Sequence, residues 1–413
     1  MTLIRPFAGL RPKQEHAADV VAPPYDVLNT EEARARADGR PYSFLHISKP
    51  EIDLPVGTDP FSAEVYAKGA ENLQQQLEKG ILQQDTQACY YLYRLIMGKH
   101  SQTGLVAVAS VPDYDSNRIR KHEFTRPDKE DDRVRQVDAL NAQTGPVFLT
   151  YRHDDRIDEL VKQVCTGTAE YDLTADDGVQ HTLWAVKDQA LIDEITQGFD
   201  AMPCLYIADG HHRSAAASRV AAMRKENNPS HTGEEAYNYF LAVIFPDNQM
   251  KILDYNRVIK DLNGLGKDAF LQAVTNNFDV KQQDSAVKPG KAGEFGMYLD
   301  GQWYRLNIKD ELIPKNDPVK RLDVSLLQNN LIEPVLGIAD PRRDKRIDFV
   351  GGIRGLQELE KRVNSGEMTV AFALFATSLD DLMSVADANE VMPPKSTWFE
   401  PKLADGLVSH VLD

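Results

Sequence analysis

A short apolar run near the middle of the chain ends at a cluster of polar residues, and a helix-forming run follows that cluster. Leu205 to Ala208 suit a buried strand, and Gly210 permits a tight turn. The run from Ala215 to Ala222 is rich in alanine, which is typical of a helix with small packing residues. The sequence therefore predicts a strand-to-helix junction between Asp209 and Arg213.

This junction has the chemistry of an anion site. Free backbone N–H groups and the positive end of the helix dipole gather where a helix begins, and Arg213 adds a forked donor that suits phosphate. Asp209 is a candidate base or metal ligand. Each residue alone also fits a structural role, such as a helix cap for Asp209 or a carboxylate partner for Arg213. Four adjacent polar residues at the end of an apolar strand favour a functional site.

A second polar stretch comes before a helix that the sequence predicts from Pro127 to about Asn141. We expect this stretch to face a phosphate or a metal-bound ligand. The alternative is a solvated helix face, because the cations are interleaved with carboxylates. The candidate side chains are Lys121, His122, Glu123, Thr125 and Arg126.

A third candidate lies near the end of the chain. Two prolines are followed there by Lys395, Ser396 and Thr397, whose side chains are candidate hydrogen-bond donors to a phosphate group. A proline-rich tail that packs Trp398 and Phe399 against the protein fits the same residues.

Composition limits the class of protein. The chain has 413 residues, 42% of them hydrophobic, which predicts one large globular domain or two to three ordinary ones. A formal net charge of −16 argues against a nucleic-acid surface. Three isolated cysteines fit a reducing compartment. Neither a signal-peptide core nor a run of 18 apolar residues occurs, so we expect a cytoplasmic protein without a membrane span and leave a homodimer open.

The order of predicted elements indicates an α/β fold with a mixed sheet and α+β additions. Hairpins are predicted from Ala88 to Val111 and from Tyr171 to Lys187. Alternating strands and helices after Asp323 favour strands that are covered on both faces. We expect an amino-terminal α/β region over 1–245, an α+β insert over 246–322, and a carboxyl-terminal α/β segment over 323–413 that packs back on the core.

The common nucleotide and hydrolase motifs are absent, but the chain resembles a known family from end to end. No G-x-x-x-x-G-K-[ST], G-x-G-x-x-G, G-x-S-x-G or H-E-x-x-H motif occurs. The chain is identified as a member of the domain-of-unknown-function family 1015, whose proteins are often labelled SpoOJ/ParA/ParB/RepB-like. The matching segments are Arg5–Pro12, Val21–Val27, His122-Glu123 with Lys129 and Asp132-Arg133, Ala208–Arg213, and Met392–Thr397.

The Asp-Gly-His-His-Arg motif is also similar to that of ParB/sulfiredoxin-like proteins, which include kinases of free serine. This resemblance implies a ParB/sulfiredoxin-like core in which Asp209 is a catalytic or metal-orienting carboxylate. It places Gly210, His211, His212 and Arg213 around nucleotide phosphates, with His211 as a further catalytic candidate. The second catalytic carboxylate of the serine kinases has no aligned position, so Glu123 and Asp26 are candidates for it. No helix-turn-helix module of ParB is evident.

These observations together predict an enzyme, a Mg²⁺-dependent phosphotransferase that uses ATP or ADP on a small hydroxylated metabolite, with free L-serine as the leading acceptor. Asp209 and Glu123 are the expected metal ligands and proton acceptors. Two rivals remain open: a ParB-like regulatory protein that binds a nucleotide without turnover, and a metal-dependent phosphatase.

Overall fold

A computed structural model describes residues 2–413. The chain forms two compact units, one comprising residues up to Met250 together with Pro401–Asp413, and the other Lys251–Glu400. Across the described residues, no helix is both long enough and apolar enough to cross a membrane.

The first unit is built on a nine-stranded mixed sheet, counted over the described residues. Its strand order is β6-β11-β8-β12-β5-β4-β10-β9, with β1 paired to β5. The pairs β6–β11 and β8–β12 are parallel, and the other pairs are antiparallel. The strands up to Met250 are β1 (Ile4–Arg5), β2 (Leu10–Pro12), β3 (Leu82–Gln84), β4 (Tyr90–Met97), β5 (His100–Ser110), β6 (Ile119–Arg120), β7 (Ala142–Gln143), β8 (Val147–Tyr151), β9 (Tyr171–Thr174), β10 (Gln180–Val186), β11 (Leu205–Asp209) and β12 (Tyr239–Pro246).

Several helices of this unit begin at a capping residue or a proline. Asn29 caps the second helix and forms a capping box with Glu32. Pro127 stands at the start of its helix, as predicted. The helices are α1 (Ala17–Val20), α2 (Thr30–Ala37), α3 (Leu45–Ser48), α4 (Ala63–Glu78), α5 (Val111–Asp115), α6 (Pro127–Leu140), α7 (Asp155–Cys165), α8 (Gln189–Asp200) and α9 (His211–Asn227).

The prediction of an α/β fold with a mixed sheet is confirmed. Strand β12 is buried along its whole length, as expected for a central strand that is covered on both faces. Strands β4 and β5 form the predicted hairpin, and β9 and β10 form the second one.

The second unit contains a six-stranded sheet in the order β15-β17-β16-β19-β14-β18, in which every pair is antiparallel. A two-stranded pair, β13 with β20, accompanies it. The strands are β13 (Lys251–Leu253), β14 (Tyr255–Ile259), β15 (Phe278–Gln283), β16 (Glu294–Leu299), β17 (Gln302–Ile308), β18 (Ile347–Gly351), β19 (Val370–Ala373) and β20 (Trp398–Glu400). The helices are α10 (Lys267–Val274), α11 (Asp323–Leu327), α12 (Glu333–Leu336), α13 (Gly355–Asn364) and α14 (Leu379–Asp387), with a π-helical turn at Gln328–Ile332.

The structure divides the chain differently from the sequence-based expectation. Strand β14 pairs with β18 and β19, so residues from the expected insert and from the expected carboxyl-terminal segment share one sheet. The alternating strands and helices after Asp323 therefore complete an antiparallel sheet. Only the last residues return to the first unit, where β21 (His410–Val411) pairs with β7.

A buried carboxyl in the second unit predicts a pH-dependent stability for this unit. Asp323 is 9% exposed and its Oδ1 accepts the Gly293 N–H at 2.8 Å, whereas its Oδ2 has no hydrogen-bond partner among the described residues. Burial raises the pKa of Asp323 to about 7. The folded state therefore holds a proton that the unfolded chain releases near pH 4.

The stability of the second unit is expected to fall as the pH rises from about 4 to about 7, by at most about 1.4 kcal/mol per pH unit. The reason is that the unfolded chain binds fewer protons than the folded chain over this window. In Asp323→Asn this fall should vanish, while a variant of the exposed Asp268, Asp268→Asn, should keep it. Urea unfolding at several pH values checks this, and an unchanged slope in Asp323→Asn would contradict it.

Candidate functional site

The predicted junction is present in the first unit. Residues Leu205 to Ala208 of β11 are at most 3% exposed, and helix α9 begins at His211. Gly210 joins them with a φ of 98°, in the left-handed region that favours glycine. A Cβ atom at Gly210 would lie 3.2 Å from the Arg213 Nε and 3.3 Å from the Val147 Cα. Glycine is therefore required both by the backbone angle and by the close approach of β8.

The substitution Gly210→Ala is expected to destabilise the first unit by about 1–2 kcal/mol, because an L-residue is strained in this conformation. It should also displace the Arg213 guanidinium, which the new methyl group would crowd. Urea unfolding measures the effect. Gly290→Ala is the control, since a Cβ there meets nothing within 4 Å. Equal stability of the two variants would refute the expected strain.

The second polar stretch lies beside the junction. Strand β6 runs parallel to β11, with Leu205 opposite Ile119 and Tyr206 opposite Arg120. Both strands therefore end at the same edge of the sheet. The His122 N–H donates to the His211 Nε2 at 3.4 Å, and the Arg126 N–H donates to the His212 Nε2 at 3.1 Å. The structure thus brings together two of the three stretches that the sequence singled out.

Asp209 lies at the carboxyl end of β11 among cations. Its Oδ2 accepts from the Lys402 Nζ at 3.3 Å and lies 4.0 Å from an Arg213 nitrogen, while its Oδ1 accepts the Gly210 N–H at 2.8 Å. Desolvation opposes ionisation, but Lys402 and Arg213 outweigh it and lower the pKa of the carboxyl. Asp209 is therefore held as a carboxylate, and its side chain remains 35% exposed.

Arg213 faces carboxylates and a backbone carbonyl. Its side chain is 12% exposed, donates to the Pro146 carbonyl and lies 3.6 Å from the Asp26 carboxylate. Burial opposes its charge, but Asp26 and Asp209 outweigh burial and raise the pKa of the guanidinium. Asp405 completes the group: it is 1% exposed, and burial raises its pKa to about 7 although Arg213 opposes this. Arg213 thus supplies positive charge to several carboxyl groups that lie next to the junction.

Three side chains at this edge could hold a metal ion. One ligand atom each from His122, Glu123 and His211 lies within 4.8 Å of the others. The two imidazoles are nearly perpendicular, with ring centroids 4.5 Å apart, and the His211 Nδ1 lies 3.9 Å from a Glu123 carboxylate oxygen. Burial lowers the pKa of His122 to about 4 and the pKa of His211 well below its usual value, so both rings are neutral at pH 7. Glu123 is therefore grouped with two histidines, whereas Asp209 has cationic neighbours.

The other predicted residues have contacts of their own. The Lys121 Nζ lies 3.9 Å from the Tyr114 ring centroid, and burial lowers its pKa. Arg126 pairs with Asp128 at 2.7 Å on the surface, and burial also lowers the pKa of His212.

The three candidates near the chain end belong to the second unit. There, the Lys395 Nζ lies 5.6 Å from the Tyr255 ring centroid. The Ser396 hydroxyl donates to the Pro393 carbonyl at 2.6 Å, and the Ser396 carbonyl accepts from Thr377 at 2.9 Å. Thr397 is the residue that precedes β20.

Sequence reasoning missed Lys402 and Asp405. Both come from the terminal segment that rejoins the first unit, where the Ala22 and Asp405 backbones form a bridge. Lys402 is 193 positions from Asp209 along the chain, so no local spacing points to their contact. The sequence offers one signal for Lys402, which is its positive charge directly after Pro401.

The fold and this site define an α/β protein with a cation-flanked strand-to-helix junction. The family model "Protein of unknown function (DUF1015)" matches residues 4–325, and the chain belongs to this family. No curated protein matches the chain.

Several solved structures are similar to part of the chain, each covering 73% of it. A conserved hypothetical protein from Pyrococcus furiosus is 14% identical, with 94% of that chain covered and a TM-score of 0.35. A free serine kinase in complex with AMP is 13% identical, with 92% covered and a TM-score of 0.35. SbnI with C-terminal truncation from Staphylococcus aureus is 8% identical, with 85% covered and a TM-score of 0.39.

Proposed function

We propose that the protein is a phosphotransferase that moves a phosphoryl group between ATP or ADP and a small hydroxylated metabolite, with free L-serine as the acceptor. The observation that carries this proposal is the ionised Asp209 carboxylate beside the amino terminus of α9, with Lys402 in contact with it. Phosphoryl transfer requires positioned charge above all, and this edge of the sheet offers both signs.

The phosphate groups would bind at the start of α9. The N–H groups of His211 and His212 open the helix, where no earlier helical carbonyl can accept them, and the helix dipole adds positive potential. Gly210 lets the backbone approach an anion without a side chain in the way. Lys121, His212 and Arg126 are further candidates at the same edge. For Lys395, Ser396 and Thr397, which belong to the second unit, phosphate binding stays a prediction from the sequence. Arg213 would help to keep Asp209 ionised, because its guanidinium lies 4.0 Å from that carboxylate.

The hydroxyl acceptor would meet Asp209. A carboxylate that stays ionised can hold a serine hydroxyl by a hydrogen bond and take its proton as the new phosphorus–oxygen bond forms. The bond between that phosphorus and the nucleotide breaks at the same time, and the nucleotide leaves with one phosphate fewer. Glu123 is the second carboxylate at this edge and a candidate for the same role, and His211 supports the arrangement from the helix. The choice of serine rests on the similarity of the Asp-Gly-His-His-Arg motif to that of free serine kinases.

Mg²⁺ fits this proposal as the ion that accompanies nucleotide phosphates, since carboxylate oxygens are the protein ligands it prefers. Asp209 and Glu123 would hold it, and it would neutralise charge on the phosphate oxygens. The part of Asp209 left exposed, 35% of its side chain, is open to such an ion.

A metal-dependent phosphatase is the second candidate function. The His122, Glu123 and His211 group favours it, because two imidazoles and a carboxylate are a common ligand set of hydrolytic metal sites. Such an enzyme would hydrolyse phosphoserine-like esters without a nucleotide.

Phosphorus NMR distinguishes these functions. The purified protein is incubated with Mg²⁺ and ATP or ADP, together with hydroxy-amino acids, their phosphoesters and small sugars. A new phosphoester, formed together with nucleotide conversion, supports the phosphotransferase. Phosphate release from an ester without a nucleotide supports the phosphatase. A nucleotide that binds and stays unchanged would favour a ParB-like regulatory protein and reject both enzymes.

A further inference from the structure

The ligand atoms of His122, Glu123 and His211 are arranged so that one cation can join them. One atom from each side chain lies within 4.8 Å of the others, and the His211 Nδ1 lies 3.9 Å from a Glu123 carboxylate oxygen. Coordination through the His211 Nδ1 places the ring proton on Nε2 and replaces the 3.4 Å contact with the His122 N–H. Ligands of one ion at a bond length of about 2.1 Å lie roughly 3–3.5 Å apart, so the group needs to contract by about 1 Å. Glu123 can supply this movement, because its side chain is 53% exposed and lies between β6 and α6 outside any helix or strand.

One nitrogen of the group is buried without a partner. His122 is 2% exposed, and its Nδ1 has no hydrogen-bond partner among residues 2–413. A buried polar atom without a partner costs free energy, which a bound cation would recover.

The donor set decides which ion fits. Mg²⁺ prefers oxygen ligands and an octahedral shell that keeps several waters. Two imidazole nitrogens with one carboxylate instead suit first-row transition ions such as Zn²⁺, Mn²⁺ or Fe²⁺, and leave coordination positions for water or an oxygen of a substrate.

We propose that His122, Glu123 and His211 form a binding site for one divalent first-row transition metal ion. In this assignment Glu123 holds the transition ion, and Asp209 is left as the carboxylate ligand for any Mg²⁺ that accompanies a nucleotide. The proposal does not rest on the phosphotransferase activity, because the ion binds whether or not a nucleotide is turned over.

Metal titration in the absence of nucleotide tests the site. The full chain, stripped with a chelator, is titrated with Zn²⁺ by calorimetry and with Co²⁺ by visible absorption, which reports the coordination of that ion. We expect one ion per chain. The variants His122→Gln, His211→Gln and Glu123→Gln should each weaken binding by at least about 10-fold. Glu123→Gln is the most informative variant, because this exposed side chain can change without disturbing the core.

His410→Gln is the matched control, since His410 is 4% exposed and contacts the Ala236 carbonyl in the same unit. It should bind Zn²⁺ like the parent chain. Mg²⁺ in 100-fold excess should not displace Co²⁺. Absence of binding, equal binding by Glu123→Gln, or ready displacement by Mg²⁺ would each overturn the proposal.

Discussion

Asp209→Asn is expected to lower the rate of phosphoryl transfer by about 10²- to 10⁴-fold, the usual contribution of a positioned proton acceptor. Asparagine keeps the shape of the side chain but cannot accept the proton of a hydroxyl acceptor. The Lys402 Nζ, 3.3 Å from the carboxylate in the parent chain, would also lose its counter-charge. The rate is measured by phosphorus NMR with saturating nucleotide and acceptor.

The matched control for this variant is Asp193→Asn, a change of an exposed aspartate on helix α8 in the same unit. Its rate should equal that of the parent chain. Circular dichroism and thermal unfolding of Asp209→Asn should match the parent closely, so that the lost rate reflects chemistry. A folded Asp209→Asn protein with undiminished turnover would remove Asp209 from the catalytic role.

The parts of the fold and site that sequence reasoning found are those that depend on neighbouring residues. An apolar run, a glycine and an alanine-rich run are local signals, and they located β11, Gly210 and α9. Pro127 located the start of α6 for the same reason, because its missing N–H suits the first turn. The proximity of Glu123 to His211 was harder to predict from the sequence, because it depends on the parallel pairing of β6 with β11.

The parts that sequence reasoning did not find depend on contacts between distant residues. Strand β14 pairs with β18 and β19, which lie about 90 to 115 positions later in the chain. The hydrophobic periodicity of a strand cannot indicate such a distant partner. Lys402 and Asp405 reach the junction only because the chain returns to the first unit after Glu400. Composition likewise cannot distinguish an arginine that binds phosphate from one that neutralises buried carboxylates.

This last ambiguity concerns Arg213, and its substitution has the largest expected effect on stability. Arg213→Met is expected to destabilise the first unit by about 3 kcal/mol at most, because the buried Asp405 and the partly exposed Asp26 and Asp209 lose a nearby counter-charge. Asp405 is 1% exposed, and its Oδ1 has no hydrogen-bond partner among the described residues. Urea unfolding at pH 8 measures the loss. The pKa of Asp405 is about 7 with Arg213 in place and rises further without it, so proton uptake by this carboxyl limits the loss.

The double variant Arg213→Met with Asp405→Asn separates the two roles of the arginine. If Arg213 chiefly neutralises Asp405, removing that carboxyl should restore a substantial part of the lost stability, because no buried charge then lacks a partner. If Arg213 instead chiefly contacts nucleotide phosphates, Arg213→Met should weaken nucleotide binding while costing little stability. Losses that simply add in the double variant would rule out the coupling. Because Asp26 and Asp209 also face the guanidinium, at 3.6 Å and 4.0 Å, rescue by Asp405→Asn should be partial.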